Sequence, residues 1–217
     1  MSAAIERPGQ RPELDRPGFD SLWDWRRQVA DLYASIRANP DPQRAWAHWR
    51  EVRDSLYRIH KQTPIELGTP FKGLGFFSYD PALRFTVGLV PIADGDVQRF
   101  PAGADGDLSM RPFARSRGLQ DALGGELTFY WLLGYCGGTF LPFADATSGR
   151  ETYGAGRYLL DTIKSADLGA APDGRIVLDF NFAYNPSCAY SPRYVCPLAP
   201  LSNRLPSAVR AGERTPG

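Results

Sequence analysis

Two stretches hold most of the polar side chains that could do chemistry: PFADATSGRETYGAGRYLLD at 142–161 and LDFNFAYNPSCAYSPRYVCPLAP at 178–200. In the first, Asp145, Thr147 and Gly149 suit a tight turn in which a short polar side chain bonds backbone amides two residues ahead. Beyond it Glu151, Tyr153 and Arg157 share parity, so a regular strand turns all three to one face. In the second stretch Asp179 and Asn181 alternate with Leu178, Phe180 and Phe182. A strand with one apolar face either solvates its polar residues or gathers them in a cavity, and inside a barrel that cavity is the expected site. There Arg157 would clamp a carboxylate or phosphate with its planar fork, with Asn181, Asn185, Asp145 and Thr147 as further ligand-binding positions. Asp179, Glu151 or Asp145 would serve as general acid or base if burial raised its pKa, and Tyr153 joins them as a catalytic candidate. The same residues fit a plainer arrangement in which Arg157 pairs with Asp179 or Glu151 and Asn181 and Tyr153 complete the hydrogen bonds, because buried charges need partners in any protein.

Cysteine and histidine add little. Cys188 and Cys196 lie in an aromatic, proline-bounded loop at a spacing foreign to zinc knuckles, and the only histidines, His48 and His60, fall in the N-terminal helical region. No metal and no cofactor is expected. The two thiols read as buried structural residues, as a redox-dependent disulfide, or as a nucleophile, in which role Cys188 is the candidate and Arg193 the nearest cation. Cys136 reads as core. His60 sits where a helix ends and reads as a cap on its last carbonyls, with a general base as the alternative. The glycine runs GLGFF and GYCGG lack the lysine and the strand-turn-helix setting of a phosphate loop.

The elements that must position these residues change character near Pro64. From Asp20, Leu22, Trp25, Val29, Leu32 and Ile36 recur at helical spacing, and Asn39 and Pro40 end the helix. Asp41 caps a second helix with Pro42 at its first position and Trp46, Trp49, Val52, Leu56 and Ile59 on one face. Arg26, Arg27, Arg44, Arg50, Arg53 and Arg58, interleaved with acids, read as a solvated helix face. After Pro64 the period becomes two. GLGFFSYD and ALRFTVGLV flank Asp80 and Pro81 as a hairpin, and further strand-like runs occur at about 107–114, 125–135, 138–144, 151–163 and 174–184. The expected fold is α+β and mainly β, an antiparallel barrel-like or sandwich-like sheet with two N-terminal amphipathic helices. Residues 1–18 read as a disordered arm, and 19–217 as a single domain of a helical pair (19–62), an antiparallel core (63–184) and an ordered loop and tail (185–217) that loosens toward its end.

Composition narrows the partners. With 25 Lys and Arg against 24 Asp and Glu, the 217-residue chain has a net charge of +1 and lacks the basic excess that binds nucleic acid. No apolar run reaches the roughly 18 residues of a spanning helix, and the opening residues carry no apolar leader core, so no membrane partner and a cytoplasmic location are expected. The 22 glycines and 19 prolines predict many turns after the helices.

The order HWREVRDSLYRIHKQTPI, FKGLGFFSYDPALRF, PFADATSGRETYGAGRYL and the block from Leu178 to Glu213 resembles the bacterial and archaeal family known as domain of unknown function 1684, over roughly residues 45–213. The resemblance implies no reaction. It does imply that Asp145, Thr147, Tyr153, Arg157, Asp179, Asn181, Asn185, Cys188, Cys196, Asn203 and Glu213 occupy signature positions, and Ser148, between Thr147 and Gly149, departs from the pattern. The leading functional expectation is a small-molecule enzyme in which Arg157 orients an anionic substrate and a carboxylate transfers a proton, in a pocket closed by the loop 185–196. The alternatives are a non-catalytic binding protein using the same pocket, or an interaction protein using the tryptophan-bearing helices, through which a homodimer could form.

Overall fold

The computed structural model describes residues 18–101, 106–135 and 137–217; Cys136 and all but the last residue of the arm at 1–18 lie outside them. Helix α1 (Phe19–Ala38) ends where Asn39 turns extended ahead of Pro40. Helix α2 (Pro42–Ile59) starts on Asp41, whose carboxylate accepts from the backbone N–H groups of Gln43 at 3.0 Å and Arg44 at 3.1 Å. Its buried face is Ala45, Trp46, Trp49, Leu56 and Tyr57. Ile59, expected on that face, is 77% exposed because it lies on the last turn, beyond the edge of the sheet-facing stripe.

The sheet is antiparallel throughout: β1 (Arg84–Pro91), β2 (Gln98–Pro101), β3 (Asp107–Arg117), β4 (Thr128–Leu132), β5 (Gly138–Phe143), β6 (Arg157–Asp161) and β7 (Ile176–Asp179). Strand order is β6-β5-β4-β3-β1-β7, with β2 on β3. A short helix, α3 (Gln120–Leu123), links β3 to β4. Closure comes from one residue beyond β7. The Asp179 side chain accepts from the Asn181 N–H and starts a 3-10 turn, Phe180–Phe182, which swings the chain away from β1. Tyr184 then exchanges backbone hydrogen bonds of 2.9 and 3.1 Å with Tyr158 of β6, so the two ends of the sheet meet. The mainly β, barrel-like architecture with two N-terminal helices is therefore the one the sequence predicts. The hairpin at Asp80 and Pro81 is not formed. Asp80 instead caps a 3-10 turn, Pro81–Leu83, and Phe76 in the preceding stretch makes a single bridge, to Glu213.

Two apolar clusters occupy opposite faces of the sheet. Alternation divides β4 and β5 between them: Phe129, Leu141 and Phe143 join Val87, Leu127, Leu178, Phe180, Leu205 and Val209. Tyr130, Leu132 and Phe140 turn the other way, where Leu32, Tyr33, Ile36, Trp46 and Trp49 of the helices cover them. The expected loosening toward the end is not observed, since Asn203, Leu205, Val209, Ala211 and Glu213 are all buried. Gly212 is needed there: its φ is +74° and a Cβ would run into the Ala183 carbonyl.

Candidate functional site

Arg157 does not face a cavity. It is fully buried, and Nη2 donates to Asp145 Oδ2 at 2.9 Å and to the Val209 carbonyl at 3.0 Å, while Nη1 donates to the carbonyls of Ala211 and Glu213. Asp145 is equally committed, with Oδ1 accepting from the Thr147 N–H at 2.8 Å, the Thr147 hydroxyl at 2.6 Å and the Val209 N–H at 3.1 Å. The guanidinium fork is thus a clasp on the C-terminal stretch and has no donor pair left for an anionic substrate. Of the two arrangements the sequence allowed, the ion pair is the one formed, with Asp145 in place of Asp179 or Glu151.

The remaining candidates disperse. The strand expected over 151–163 starts only at Arg157, because 148–156 is a series of turns. Glu151 consequently points outward to Arg210 at 2.9 Å, and that hydrogen-bonded partner lowers its pKa. Asp179 is 1% exposed and accepts from Asn181 Nδ2 at 2.8 Å, while Asn181 holds the Asp80 backbone through its amide at 2.8 Å on both sides. Burial pushes the Asp179 pKa up to about 6 against those hydrogen bonds and against Arg84 at 3.6 Å. This acid lies away from the cavity described next. His60 is the C-cap residue of α2. Its Nε2 reaches Asp24 of α1 at 3.2 Å and its Nδ1 accepts from the Gln62 N–H at 3.0 Å, so both ring nitrogens are in use.

A cavity of about 290 Å³ opens where α1, α2, the end of β6 and the strap 185–197 meet. Its inner part is built by Tyr33, Arg53, Tyr57, Tyr158, Tyr184 and Asn185. Arg53 is no solvated helix residue. Its side chain is 14% exposed and pairs with Glu213, itself 1% exposed, while Nη2 donates to Tyr57 at 2.9 Å. Burial would lower the arginine pKa, but Glu213 together with Tyr57 and Tyr190 outweighs it and holds the group well above its ordinary range. Glu213 also accepts from the Asn185 N–H at 2.7 Å and the Tyr190 hydroxyl at 3.0 Å, fastening the strap. Burial raises the tyrosine pKa values, that of Tyr33 to about 12, so at neutral pH these side chains are phenols that can donate. Of the six buried side-chain polar atoms without a partner among the described residues, two belong to residues of this cavity: the Tyr184 hydroxyl and Asn185 Oδ1. Both residues line the cavity, and both are more than nine-tenths buried. Arg26 and Lys164 stand on its lining too; Lys164 pairs with Asp161 at 2.9 Å, and Arg26 has no carboxylate partner among the described residues.

Cys196 forms part of the same wall. Its sulfur accepts from the Cys188 N–H at 3.4 Å, and the two thiols are unbridged. The Tyr153 hydroxyl lies 3.7 Å from the Cys188 sulfur, so of the expected catalytic residues Tyr153 and Cys188 are brought together. No three His, Cys, Asp or Glu side chains stand grouped as a metal site among the described residues.

The profile of a protein of unknown function, DUF1684, matches residues 69–214. The chain belongs to the DUF1684 family. The solution NMR structure of an uncharacterized protein of Haloarcula marismortui is similar at 32% identity, over 76% of this chain and 90% of that one, with a TM-score of 0.53. No curated protein matches the chain. The DUF1684 region begins at residue 69, later than the motif resemblance placed it, and so contains Tyr158, Lys164, Tyr184, Asn185, Cys188, Cys196 and Glu213 but not α1 or α2. Eleven of the twenty residues lining the cavity therefore come from the DUF1684 span and nine precede it, seven of these on α1 and α2. Arg53, Tyr33 and Tyr57 could not be read as site residues from their spacing. A basic position on an amphipathic helix looks solvated until its partner is known, and here the partner lies 160 positions away.

Proposed function

We propose that this protein binds a small molecule with an apolar or aromatic body and an acidic group in the cavity between the helical pair and the strap. The tyrosine rings and Leu22, Trp25 and Val29 supply the apolar wall, and Arg26 and Lys164 supply positive charge for the acid. The observation that carries the reading is the pair of buried, unpartnered polar atoms, Tyr184 Oη and Asn185 Oδ1, on residues of one cavity. A buried polar group without a partner is destabilising, and a bound ligand that hydrogen-bonds it removes that penalty. The anionic ligand expected from Arg157 is thus reassigned to a different set of residues, and the reading requires no metal.

Titration calorimetry with anilinonaphthalene sulfonate, an aromatic anion, tests it. The native protein should bind one molecule saturably, and Tyr184→Phe should weaken binding about tenfold, the worth of one hydrogen bond of about 1.4 kcal/mol. Because that change removes only the unpartnered hydroxyl, the melting temperature should hold or rise. Equal affinity in native protein, Tyr184→Phe and Arg26→Ala/Lys164→Ala, or no saturable binding at all, sinks the proposal.

A further inference from the structure

The cysteine pair divides its two sulfurs between two environments. Cys196 lines the cavity and Cys188 does not. Both are half-buried, so neither is sealed in the core. They are carried on one strap whose ends are fixed independently. The Asn185 N–H is held by Glu213, and the Pro197 carbonyl accepts from Tyr158 at 2.8 Å. Between those anchors a 3-10 turn, Ser187–Ala189, points the Cys188 N–H at the Cys196 sulfur. A disulfide between these positions closes a short loop that the fold has already brought together, so little chain entropy remains to be lost.

We propose that Cys188 and Cys196 form a thiol–disulfide exchange site, in which Cys196 attacks a disulfide substrate presented in the cavity and Cys188 resolves the mixed disulfide. In the first step the Cys196 thiolate attacks one sulfur of R–S–S–R. A Cys196–S–S–R bond forms, the substrate S–S bond breaks, and one RS⁻ leaves with the electron pair. In the second, Cys188 gives up its proton to solvent or to the departing thiolate, and its sulfur attacks the Cys196 sulfur. The Cys188–Cys196 disulfide forms and the second RS⁻ leaves. The protein loses two electrons and two protons, and the substrate gains them as two thiols.

The electrostatics run the same way as the geometry. The hydrogen bond from Cys188, the Cys188 N–H and the positive charge of Lys164 bring the Cys196 pKa down to about 6 against the opposing effect of burial, while the same contact pushes Cys188 up. The attacking sulfur is the one that ionises first, and the resolving sulfur keeps its proton until needed. This proposal does not depend on the ligand reading above. Arg26 or Tyr184 substitutions test that reading and leave both sulfurs in place.

The experiment uses the full chain carrying Cys136→Ser, reduced and then treated with oxidised glutathione, followed by intact mass and peptide mapping. The expected product is the Cys188–Cys196 disulfide without glutathione. Cys188→Ser should accumulate one glutathione on Cys196, and Cys196→Ser should react at Cys188 at least about tenfold more slowly. Near-UV circular dichroism confirms that each variant is folded, and the measurement on the parent protein needs no change at either cysteine. Glutathione retained on the parent, both thiols still free, or faster reaction at Cys188 in Cys196→Ser would each overturn the assignment.

Discussion

Arg53 on α2 and Glu213 near the far end of the sequence form an ion pair in which the carboxylate is 1% exposed and the guanidinium 14%. The same carboxylate holds the Asn185 N–H and the Tyr190 hydroxyl, so one acid joins helix, strap and C-terminal stretch. Removing one member of a buried pair leaves the other charge uncompensated, which typically destabilises by about 3–5 kcal/mol. Glu213→Gln should lower unfolding free energy by that order in urea titrations. The double variant Arg53→Met/Glu213→Gln should lose clearly less than the sum of the single losses, and strictly additive values would show that the two groups do not act as a pair.

Arg157 is expected to matter for stability and not for ligand affinity. Arg157→Ala strands Asp145 in the core and frees the carbonyls of Val209, Ala211 and Glu213. The expected loss is again about 3–5 kcal/mol in urea titration. Molecules that remain folded should bind anilinonaphthalene sulfonate with native affinity. An unchanged melting temperature with abolished binding would restore Arg157 as a ligand clamp.

Asp179 gives stability a pH dependence of definite sign. In the unfolded chain its carboxyl releases its proton near 3.8, and in the folded chain near about 6, chiefly because it is buried. Between those values the folded state binds more protons, so its stability is greatest below the lower value and declines as pH rises through the upper one. Relative to Asp179→Asn, whose amide does not titrate, the native protein should lose at most about 3 kcal/mol between pH 4 and pH 7. Parallel stability curves for the two proteins over that range would show that burial does not perturb this acid.

The fold was legible where signals are local. Asp41 and Pro42 start α2, Asn39 and Pro40 end α1, and alternation from Thr128 to Leu132 divides β4 between two faces as its parity predicts. Parity failed where the chain leaves regular geometry. Glu151 and Arg157 share a face only in a continuous strand, and the turns at 148–156 send one to solvent and the other to the core. The hairpin reading failed for a related reason, since Asp-Pro starts a 3-10 turn as readily as it closes two strands. As for the cavity, its composition of tyrosines and an arginine from four distant elements carries no spacing signal. The cysteines were visible throughout, but only the strap shows which of them meets the cavity.

Alkylation offers a direct reading of that asymmetry. Reaction of Cys196 with iodoacetamide should reach half its maximum at a lower pH than an ordinary thiol does, because Cys188 and the charge of Lys164 favour its thiolate. Cys188, raised by the same contact, should remain unmodified across the neutral range. Lys164→Ala should move the Cys196 midpoint upward, because the lysine's charge is one of the influences favouring the thiolate. Equal labelling of the two thiols at every pH would remove the electrostatic support for Cys196 as the attacking sulfur.

The clasp formed by the stretch from Asn203 to Arg214 also bears on how the chain is made. Translation releases Arg53 and Arg157 from the ribosome well before Val209, Ala211 and Glu213, which supply their carbonyls and carboxylate. Until those residues emerge, Arg53 cannot be buried without an unpaired charge, Arg157 has Asp145 but lacks its carbonyl acceptors, and the strap lacks its hold on Glu213. A chain truncated before residue 213 therefore lacks the groups that pair Arg53 and hold the strap, and is expected to be less stable than the full chain.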